Sequence, residues 1–408
     1  MRAMTWGRLR TVANERAGRR RRQVDMARRT AWMFPQLLGL TRLMSNLGAA
    51  LLLIKAVVGA RPTATGGGEP TSATLLTRIG FGSCAKQDKP QPIWDAVVAG
   101  KPQLFLMIGD NIYGDTEDME LLRRKYDLLG AQPGFQALRK VCPVLATWDD
   151  HDLGANDAGA DFPKRDASQQ IFLDFFGVAK DSPRRKQAGV YHSEIHGPPG
   201  RRVQIILLDA RYFRSKLKTG FQPSEPGEGR RGKYAPNDDA NATVLGELQW
   251  KWLERTLREP AELRLICSSY QAIPDEHGSE AWGNFPLERR RLFELIRDTK
   301  AEGVVLLSGD RHLAEVMRLP PAAFGIGYPL YEITSSSLNA PSGNLTKAGV
   351  RFANEINSYR VGLTFFDTNY GWVEIDWQPD PIVRVQVRDE QGGVVLQQRL
   401  KLSELRQD

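Results

Sequence analysis

Cysteine and histidine are scarce in this chain, which holds three cysteines and five histidines in 408 residues. An odd number of scattered cysteines excludes a fully paired disulfide framework. Cys142 and Cys267 lie in or beside apolar runs, and we interpret them as small buried hydrophobic residues. Cys84 instead ends an apolar run at a Gly-Ser turn. A thiolate metal ligand fits that position as well as a buried thiol does.

Long apolar runs are also absent from the first 60 residues. No uncharged run there exceeds twelve residues, as in 43–54, whereas a membrane-spanning helix needs about 18 or more. We therefore expect no transmembrane span in the mature protein. Paired arginines, Arg28 and Arg29, precede a moderately apolar segment and a small-residue triplet at 58–60. This pattern resembles a twin-arginine or secretory signal.

Residues 1–60 are accordingly predicted to be a basic leader and a candidate export signal, which would make the protein periplasmic or secreted. The alternatives are an untargeted tail, or a true start at Met33 or Met44, and these would leave the protein cytoplasmic. Residues 61–73 are rich in Pro, Gly and Thr, and they are predicted to be a linker.

Residues 61–408, unlike residues 1–60, carry almost no net charge. Residues 1–60 hold twelve basic and two acidic residues, so residues 61–408 carry a net charge of −2 although the whole chain carries +8. A near-neutral body gives no signal for nucleic-acid binding. From residue 74 onward, apolar runs alternate with helical segments, which is typical of an α/β domain. We predict one domain over residues 74–408.

Unbroken apolar runs are typical of central strands in a sheet that is covered on both faces. We predict strands at 79–82, 103–108, 141–146, 203–209, 263–269 and just before Asp310, with helices at 91–99, 117–129, 166–176, 245–257 and 287–300. Beyond residue 328, an alternation of period two predicts antiparallel strands that form a second sheet. Residues 221–241 lack periodicity, and we predict a long loop that borders the functional site.

Four of the apolar runs end in small polar clusters, in the segments IGFGSC (79–84), FLMIGDNIYGD (105–115), PVLATWDDHD (143–152) and GVVLLSGDRH (303–312). Ligands gather beyond the carboxyl ends of such strands. The side chains that we expect to converge there are Cys84, Asp110, Tyr113, Asp149, Asp150, His151, Asp310 and His312. So many acidic groups in a partly buried place would repel one another strongly. Bound metal cations are the simplest explanation.

Each cluster on its own is weaker evidence. Asp110 could be only a turn residue or a helix cap. His151 lies between carboxylates, which favour its imidazolium form and suit a general acid. Asp310 and His312 share one face of an extended segment and could reach the same metal. Thiolate and phenolate ligands would favour iron over magnesium.

Four further basic or titratable residues have open roles. Arg211 follows the strand at 203–209, and it could either bind phosphate oxygens in a bidentate manner or form a structural ion pair. His192 and His196 lie in polar surroundings and are interpreted as surface residues. His277, near Trp282, is interpreted as a residue at the rim of a pocket.

Seven motifs occur in the order seen in the alkaline phosphatase D (PhoD-like) branch of the calcineurin-like metallophosphoesterases. They are GSC (82–84), GDNIYGD (109–115), TWDDHD (147–152), LDAR (208–211), SSYQ (268–271), AWGNFPLERRRL (281–292) and SGDRH (308–312). The chain therefore resembles that family from about residue 78 to residue 376. The resemblance implies an α/β fold, a four-layer α/β/β/α sandwich of two mixed sheets. The C-terminal β-rich part would then belong to the second sheet.

The resemblance also implies a multinuclear metal site, for which iron and calcium are the typical metals of this branch. It implies a bridging role for Asp110 and the catalytic-histidine role for His151. The implied metal ligands are Cys84, Asp110, Tyr113, Asp150, Asp310 and His312, with Asp149 as a second choice.

We therefore expect a metal-dependent phosphoesterase that hydrolyses phosphate monoesters, diesters or both. A metal-bound hydroxide would attack phosphorus in line, His151 would protonate the leaving oxygen, and Arg211 is a candidate phosphate ligand. The substrate would be a small-molecule or lipid phosphoester. The alternatives are a phospholipase-D-like phosphodiesterase that acts on lipid head groups, and a non-catalytic metal-binding protein.

Overall fold

Two mixed β-sheets form the centre of the structure, a computed structural model that describes residues 73–220, 232–343, 352 and 355–407. The predicted leader, and the predicted linker as far as residue 72, lie outside the described residues. No helix among the described residues is both long and apolar enough to cross a bilayer.

The described part of the chain is built from strands and helices, most of them short. The strands are β1 (Arg78–Gly82), β2 (Leu104–Ile108), β3 (Val144–Thr147), β4 (His192–His196), β5 (Val203–Leu207), β6 (Lys218–Thr219), β7 (Tyr234–Ala235), β8 (Leu263–Cys267), β9 (Val304–Ser308), β10 (Ala314–Leu319), β11 (Leu330–Ser335), β12 (Arg360–Phe365), β13 (Asn369–Asp376), β14 (Ile382–Asp389) and β15 (Val394–Lys401). The helices are α1 (Ile93–Ala99), α2 (Met119–Ala131), α3 (Pro133–Val141), α4 (Asp150–Leu153), α5 (Arg165–Phe175), α6 (Gly246–Leu257) and α7 (Pro286–Asp298).

The first sheet has the strand order β15-β14-β13-β1-β2-β3. Its strands β1, β2 and β3 are parallel, whereas β13 is antiparallel to β1. The second sheet has the order β12-β10-β11-β9-β8-β5-β4. Its four central strands, β11, β9, β8 and β5, are parallel, and antiparallel strands flank them. Strands β6 and β7 form a separate two-stranded ribbon.

The first sheet divides the apolar core into two parts. Ile79 and Phe81 of β1 pack in one cluster with the second sheet and with α6 and α7. Phe105 and Met107 of β2 pack in the other cluster with α1, α2, α3 and α5. Since alternate residues of a strand face opposite sides, this division places helices, sheet, sheet and helices in that order. The structure is therefore the expected four-layer α/β/β/α sandwich.

The fold differs from the predictions in two ways. First, helices α3 and α4 and strands β4 and β10 were not predicted. Second, the expected single C-terminal sheet is wrong, because β11 and β12 belong to the second sheet whereas β13, β14 and β15 extend the first. A period of two specifies which face of a strand is buried, but it does not specify the neighbouring strand.

The carboxyl ends of the parallel strands of both sheets meet at one edge. Thr147 Oγ1, at the end of β3, donates to the carbonyl oxygen of Leu208, just beyond β5, over 2.6 Å. Gly109, just beyond β2, has a φ of 111°, and a Cβ there would lie 2.8 Å from Cβ of Asp149 and 2.9 Å from Cβ of Ser269. The loops beyond β2, β3 and β8 are thus in contact, and this contact brings the polar clusters together.

A close contact between β1 and β13 provides a test of the core. Gly371 pairs with Phe81, and a Cβ at Gly371 would lie 2.1 Å from Cζ of the Phe81 ring. We expect Gly371→Ala to lower the free energy of unfolding by about 1–3 kcal/mol, as overpacking does, in urea titrations. Adding Phe81→Leu should recover part of that loss, because the two changes share one contact. Strictly additive losses would contradict this packing.

Candidate metal centre

Four of the predicted metal ligands have a left-handed backbone conformation just beyond a strand or its turn. The φ angles are 60° at Cys84, 49° at Asp110, 66° at Asp310 and 56° at His312. Residues other than glycine adopt this conformation rarely, and each instance costs on the order of 1–3 kcal/mol. Such strain is concentrated at functional sites. The sharp turns keep these side chains at the edge where the strands end.

Cys84, Asp110 and His312 converge from the ends of three different strands. Cys84 Sγ lies 3.4 Å from Asp110 Oδ2, and one potential ligand atom from each residue lies within 4.8 Å of the other two. Asp110 forms a second group of the same kind with Asp150 and His151. Asp110 is therefore common to both groups, which is the position that a bridging ligand would need.

Tyr113 lies beside both groups. Its Oη is 3.0 Å from Nε2 of His312, and its ring centroid is 4.3 Å from that of His151. Gln87 holds the backbone of Tyr113, because Oε1 of Gln87 accepts from the Tyr113 N–H over 2.8 Å and its Nε2 donates to the Tyr113 carbonyl. The phenol oxygen is thus placed next to the group of Cys84, Asp110 and His312.

The protein alone does little to stabilise the ionised forms of several of these groups. Burial raises the pKa of the Cys84 thiol to about 11. Burial, followed by the negative charges of Cys84 and Asp150, raises the pKa of Asp110 well above its usual value. Burial together with Asp149 and Glu280 raises the pKa of Asp310 in the same way. Asp110 Oδ1 is buried and has no hydrogen-bond partner among the described residues.

This arrangement fits a bound metal. Metal ions bind the deprotonated forms of thiols and carboxyl groups and stabilise them by their charge. Thiol, phenol, imidazole and carboxylate donors are all metal ligands, and the unpaired oxygen of Asp110 lies among them.

Asp150 and His151 follow β3 at the start of the short helix α4. The Asp150 carboxylate accepts the backbone N–H of His151 over 2.9 Å and that of Asp157 over 2.5 Å. Burial opposes its ionisation, but Arg211, His151 and the Asp157 N–H outweigh burial and lower the pKa of Asp150 to about 2. Asp150 is therefore a carboxylate over the whole neutral range.

His151 is held in place by Asp115. Its Nδ1 lies 2.7 Å from Oδ1 of Asp115, and its side chain is 14% exposed. Burial lowers the pKa of His151, but the hydrogen bond with Asp115 and the charge of Asp150 have a larger combined effect, so the pKa is raised from its usual value. Because Nδ1 is occupied, Nε2 is the ring nitrogen that can serve a substrate.

Arg211 lies behind the cavity rather than in it. Its side chain is fully buried and forms ion pairs with Asp149 and, through Nη1, with Glu280 at 2.6 Å. Its Nη2 donates to the other Glu280 oxygen over 2.8 Å. The neighbouring Asp209 accepts the backbone N–H of Arg211 and forms no ion pair with its guanidinium. The sequence left open whether Arg211 binds phosphate or forms a structural ion pair. The geometry matches the ion pair, because the guanidinium is bound by Asp149 and Glu280 and does not line the cavity.

Asp149 is held in the same buried network. Its Oδ1 accepts from Arg211 Nε and from Ser269 Oγ, while Oδ2 is buried without a hydrogen-bond partner among the described residues. Burial raises the pKa of Asp149 to about 6, even though Arg211 lowers it. Asp149 therefore lies one layer deeper than Asp150, behind the cavity.

A cavity of about 780 Å³ opens over the metal-ligand groups. Of the predicted residues, those that line it are Asp110, Tyr113, Asp150, His151, Asp310 and His312. Cys84, Asp149 and Arg211 do not line it and are fully buried. Lys233 and Tyr234, in the described part of the predicted loop 221–241, also line the cavity, so this part of the loop borders the site as predicted.

Five acidic residues near the site were not singled out from the sequence, namely Asp115, Asp152, Asp157, Glu280 and Glu355. Asp115 and Asp152 are inside the quoted motifs GDNIYGD and TWDDHD. Asp152 is buried and accepts the backbone N–H groups of Asn111 and Asp149 and the hydroxyl of Tyr126. Glu280 lines the cavity, but it lies in an irregular segment with no motif of its own. Nothing local in the sequence indicated its position.

The other three histidines are outside the cavity lining. His277 is 1% exposed, and its ring is bonded to Gln271 and to the N–H of Ser279. Its interpretation as a rim residue is therefore wrong. His192 and His196 are half-buried on β4, where each lies about 3 Å from the Glu194 carboxylate, so they are less exposed than expected.

Comparison with known proteins gives one family. The model of the family described as PhoD-like phosphatase matches residues 79–382, about three quarters of the chain. Alkaline phosphatase D of Bacillus subtilis (strain 168) is 22% identical to this chain over 210 aligned positions, and the match covers 47% of this chain and 34% of that protein. The matched part thus spans about a third of the length of that relative.

A solved structure of PhoD is similar in fold. It has a TM-score of 0.63 at 17% sequence identity, and the match covers 83% of this chain and 72% of that chain. At this level of identity the match shows a shared fold.

The buried position of Arg211 can be tested against a phosphate-binding role. We expect Arg211→Gln to lower the free energy of unfolding by about 3–5 kcal/mol, because it leaves buried carboxylates without their partner. Arg258→Gln is the control, since Arg258 follows the last residue of α6 and pairs with Glu254 at the surface. This change should alter stability by about 0.5 kcal/mol or less. Urea unfolding measures both. If Arg211→Gln instead unfolds like the wild type and has a raised KM, Arg211 binds the phosphate of the substrate.

Proposed function

The chain belongs to the PhoD-like phosphatase family, and we propose that it is a metal-dependent phosphoesterase that hydrolyses phosphate monoesters, diesters or both. The observation that carries the proposal is the meeting of two groups of potential metal ligands at Asp110, beneath a cavity of about 780 Å³. A cavity of this size accommodates a phosphate group with organic substituents.

The residues that would hold the metals offer two kinds of donor atom besides the carboxylate of Asp110. Cys84, Tyr113 and His312 offer thiol, phenol and imidazole donors, which favour iron. Asp150 and Asp310 offer carboxylate oxygens, which suit calcium. We therefore keep iron and calcium as the proposed metals. Bound there, such ions supply positive charge for phosphoryl oxygens and lower the pKa of a water nucleophile.

The described part of the chain offers a phosphate little free positive charge. Of its lysine and arginine residues, three line the cavity, namely Lys86, Lys233 and Arg311. Lys233 lies 2.9 Å from the Asp157 carboxylate, and Arg311 lies 2.6 Å from that of Glu355. Only Lys86 has no carboxylate partner among the described residues, and its Nζ lies 5.0 Å from the centre of the Tyr113 ring. Binding of a phosphate anion at this cavity is therefore expected to depend on metal cations.

His151 is the proposed general acid. Asp115 fixes its ring through Nδ1, so Nε2 is left to deliver a proton to the leaving oxygen. Asp115 also stabilises the imidazolium form by its charge, and it is thus a positioning residue. This arrangement of a carboxylate, an imidazole and a cavity is what proton transfer to a leaving alcohol needs.

The alternatives give different results with two substrates. A phospholipase-D-like phosphodiesterase would hydrolyse bis-p-nitrophenyl phosphate faster than p-nitrophenyl phosphate, whereas a monoesterase would show the reverse preference. A non-catalytic metal-binding protein would hydrolyse neither. The position of His151 at the cavity, with its ring oriented by Asp115, favours an enzyme.

The first test of the metal site uses two buried cysteines. We expect Cys84→Ser to lose bound iron and p-nitrophenyl phosphatase activity together, because a hydroxyl is a poorer iron ligand than a thiolate. Elemental analysis and initial rates measure the two losses. Cys142→Ser is the matched control, since Cys142 is also buried, at the end of α3 in the apolar cluster, but belongs to none of the potential metal-ligand groups. If Cys84→Ser retains its full iron content, the Cys84 thiolate is not an iron ligand.

The second test concerns proton delivery by His151. We expect His151→Gln to lower kcat about 10²–10⁴-fold for an alkyl phosphate, whose leaving alkoxide needs a proton. The loss should be much smaller for p-nitrophenyl phosphate, whose leaving group is a stable anion. Metal content should remain at the wild-type level. His192→Gln, on β4 outside the cavity, is the control. Equal losses with both substrates, or a loss of metal, would contradict the general-acid role.

A further inference from the structure

The Cys84 sulfur has a hydrogen-bond partner that belongs to none of the potential metal-ligand groups. This partner is Ser336, which follows directly after β11 and is fully buried. Its Oγ lies 3.2 Å from Cys84 Sγ, although the two residues are 252 positions apart in the chain. Cys84 follows β1 in the first sheet, whereas Ser336 follows β11 in the second. The contact therefore joins the ends of strands from both sheets.

The direction of this hydrogen bond follows from the other contact of the Ser336 hydroxyl. The backbone N–H of His312 donates to Ser336 Oγ over 2.8 Å, so the oxygen already accepts one hydrogen. A hydroxyl has one hydrogen of its own to donate. Among the described residues, Cys84 Sγ is the remaining partner of Ser336 Oγ. The Ser336 hydroxyl therefore donates to the Cys84 sulfur.

The thiol hydrogen of Cys84 has a different partner. Cys84 Sγ donates to Asp110 Oδ2 over 3.4 Å, that is, toward the other members of its ligand group. Loss of this hydrogen, which a thiolate ligand requires, would break the bond to Asp110 and leave the bond from Ser336. A hydrogen bond to a charged acceptor is stronger than one to a neutral acceptor. The Ser336 hydroxyl is thus placed to stabilise the form of Cys84 that binds metal.

The same hydroxyl fixes the backbone of a second potential ligand. His312 lies on left-handed backbone with a φ of 56°. Its N–H is bonded to Ser336 Oγ, and its carbonyl oxygen accepts the N–H of Ser342 over 3.0 Å. One side chain therefore connects the sulfur of Cys84 with the turn that carries His312. These two ligands approach the site from the ends of different strands.

The segment that carries Ser336 is itself held on both sides. The N–H of Asn339 donates to the carbonyl oxygen of Cys84 at 3.3 Å. On the other side, the N–H of Asn369, the first residue of β13, donates to the carbonyl oxygen of Ser337 at 2.8 Å. These backbone bonds give the Ser336 hydroxyl a fixed position relative to the sulfur.

We propose that Ser336 is a positioning residue of the metal centre, whose hydroxyl orients the Cys84 thiolate and limits its electron donation to bound iron. The proposal rests on the proposed metal site and deepens it. Partners of this kind orient metal ligands and adjust their basicity. Hydrogen bonds to sulfur ligands are one of the factors that set the reduction potential of iron. A donated hydrogen bond withdraws electron density from the sulfur, so it raises that potential.

The test replaces the Ser336 hydroxyl in the full chain. We expect Ser336→Ala to bind ferrous iron about 10–100-fold more weakly, as loss of a partner of a metal ligand does. Anaerobic titration of the chelated chain with ferrous iron measures this. The reduction potential of the bound iron should also fall, because the sulfur then donates more charge to ferric iron. Ser336→Thr retains the hydroxyl and should return both values toward those of the wild type.

Ser337→Ala is the matched control. Ser337 is also fully buried on the same segment, but its Oγ donates to the carbonyl oxygen of Ser336 over 2.6 Å rather than to Cys84. This variant should keep the wild-type iron affinity and reduction potential. Melting temperatures of all three variants check that each remains folded.

Failure of the Ser336 role and failure of the metal site give different results. An unchanged reduction potential in Ser336→Ala, whatever its iron affinity, would overturn the proposal and leave the metal site in place. An equal fall of the potential in Ser337→Ala would do the same. If the wild-type chain binds no iron, or if Cys84→Ser binds iron as tightly as the wild type does, the proposed iron site fails together with the role of Ser336.

Discussion

Repulsion among acidic groups, which the fold brings to one edge of its two sheets, is the constraint that the site must satisfy. The carboxyl ends of parallel strands from both sheets meet there, and the side chains that follow them are mostly carboxylic acids and a thiol. Several stand on left-handed backbone, so local conformational energy opposes the arrangement as well. In its ionised form such a cluster is stable only if positive charge is supplied to it, and two sources of that charge can be distinguished.

Arg211 is the first source, and it neutralises the inner layer. Its guanidinium lies between Asp149 and Glu280, and Arg214 adds a second contact to Glu280 at 3.4 Å. The outer layer, with Asp110 and Asp310, has no comparable partner among the described residues, and burial raises the pKa of both residues well above the usual value. Metal cations are the second source that we infer. The same charge would bind the phosphate, so the ions that stabilise the site would also make it an active site.

The strand ends could be predicted from the sequence because apolar runs of central strands are local features and their carboxyl ends share one edge. That reasoning brought together Cys84, Asp110 and His312. It could not assign Arg211, since the choice between phosphate and carboxylate partners depends on Glu280, which is 69 residues away in the chain. It also placed β11 with the wrong strands, because alternation along a strand does not identify its neighbours.

The metal content of the purified chain, with its melting temperature before and after chelation, tests the central claim most directly. If cations balance the outer carboxylates, the chain will contain at least one tightly bound metal ion held by the ligand set around Asp110. Chelation will then lower the melting temperature, because an ion that binds only the folded state stabilises it, and iron and calcium will restore it. A metal-free chain whose melting temperature is the same with chelator and with added iron and calcium would contradict the account.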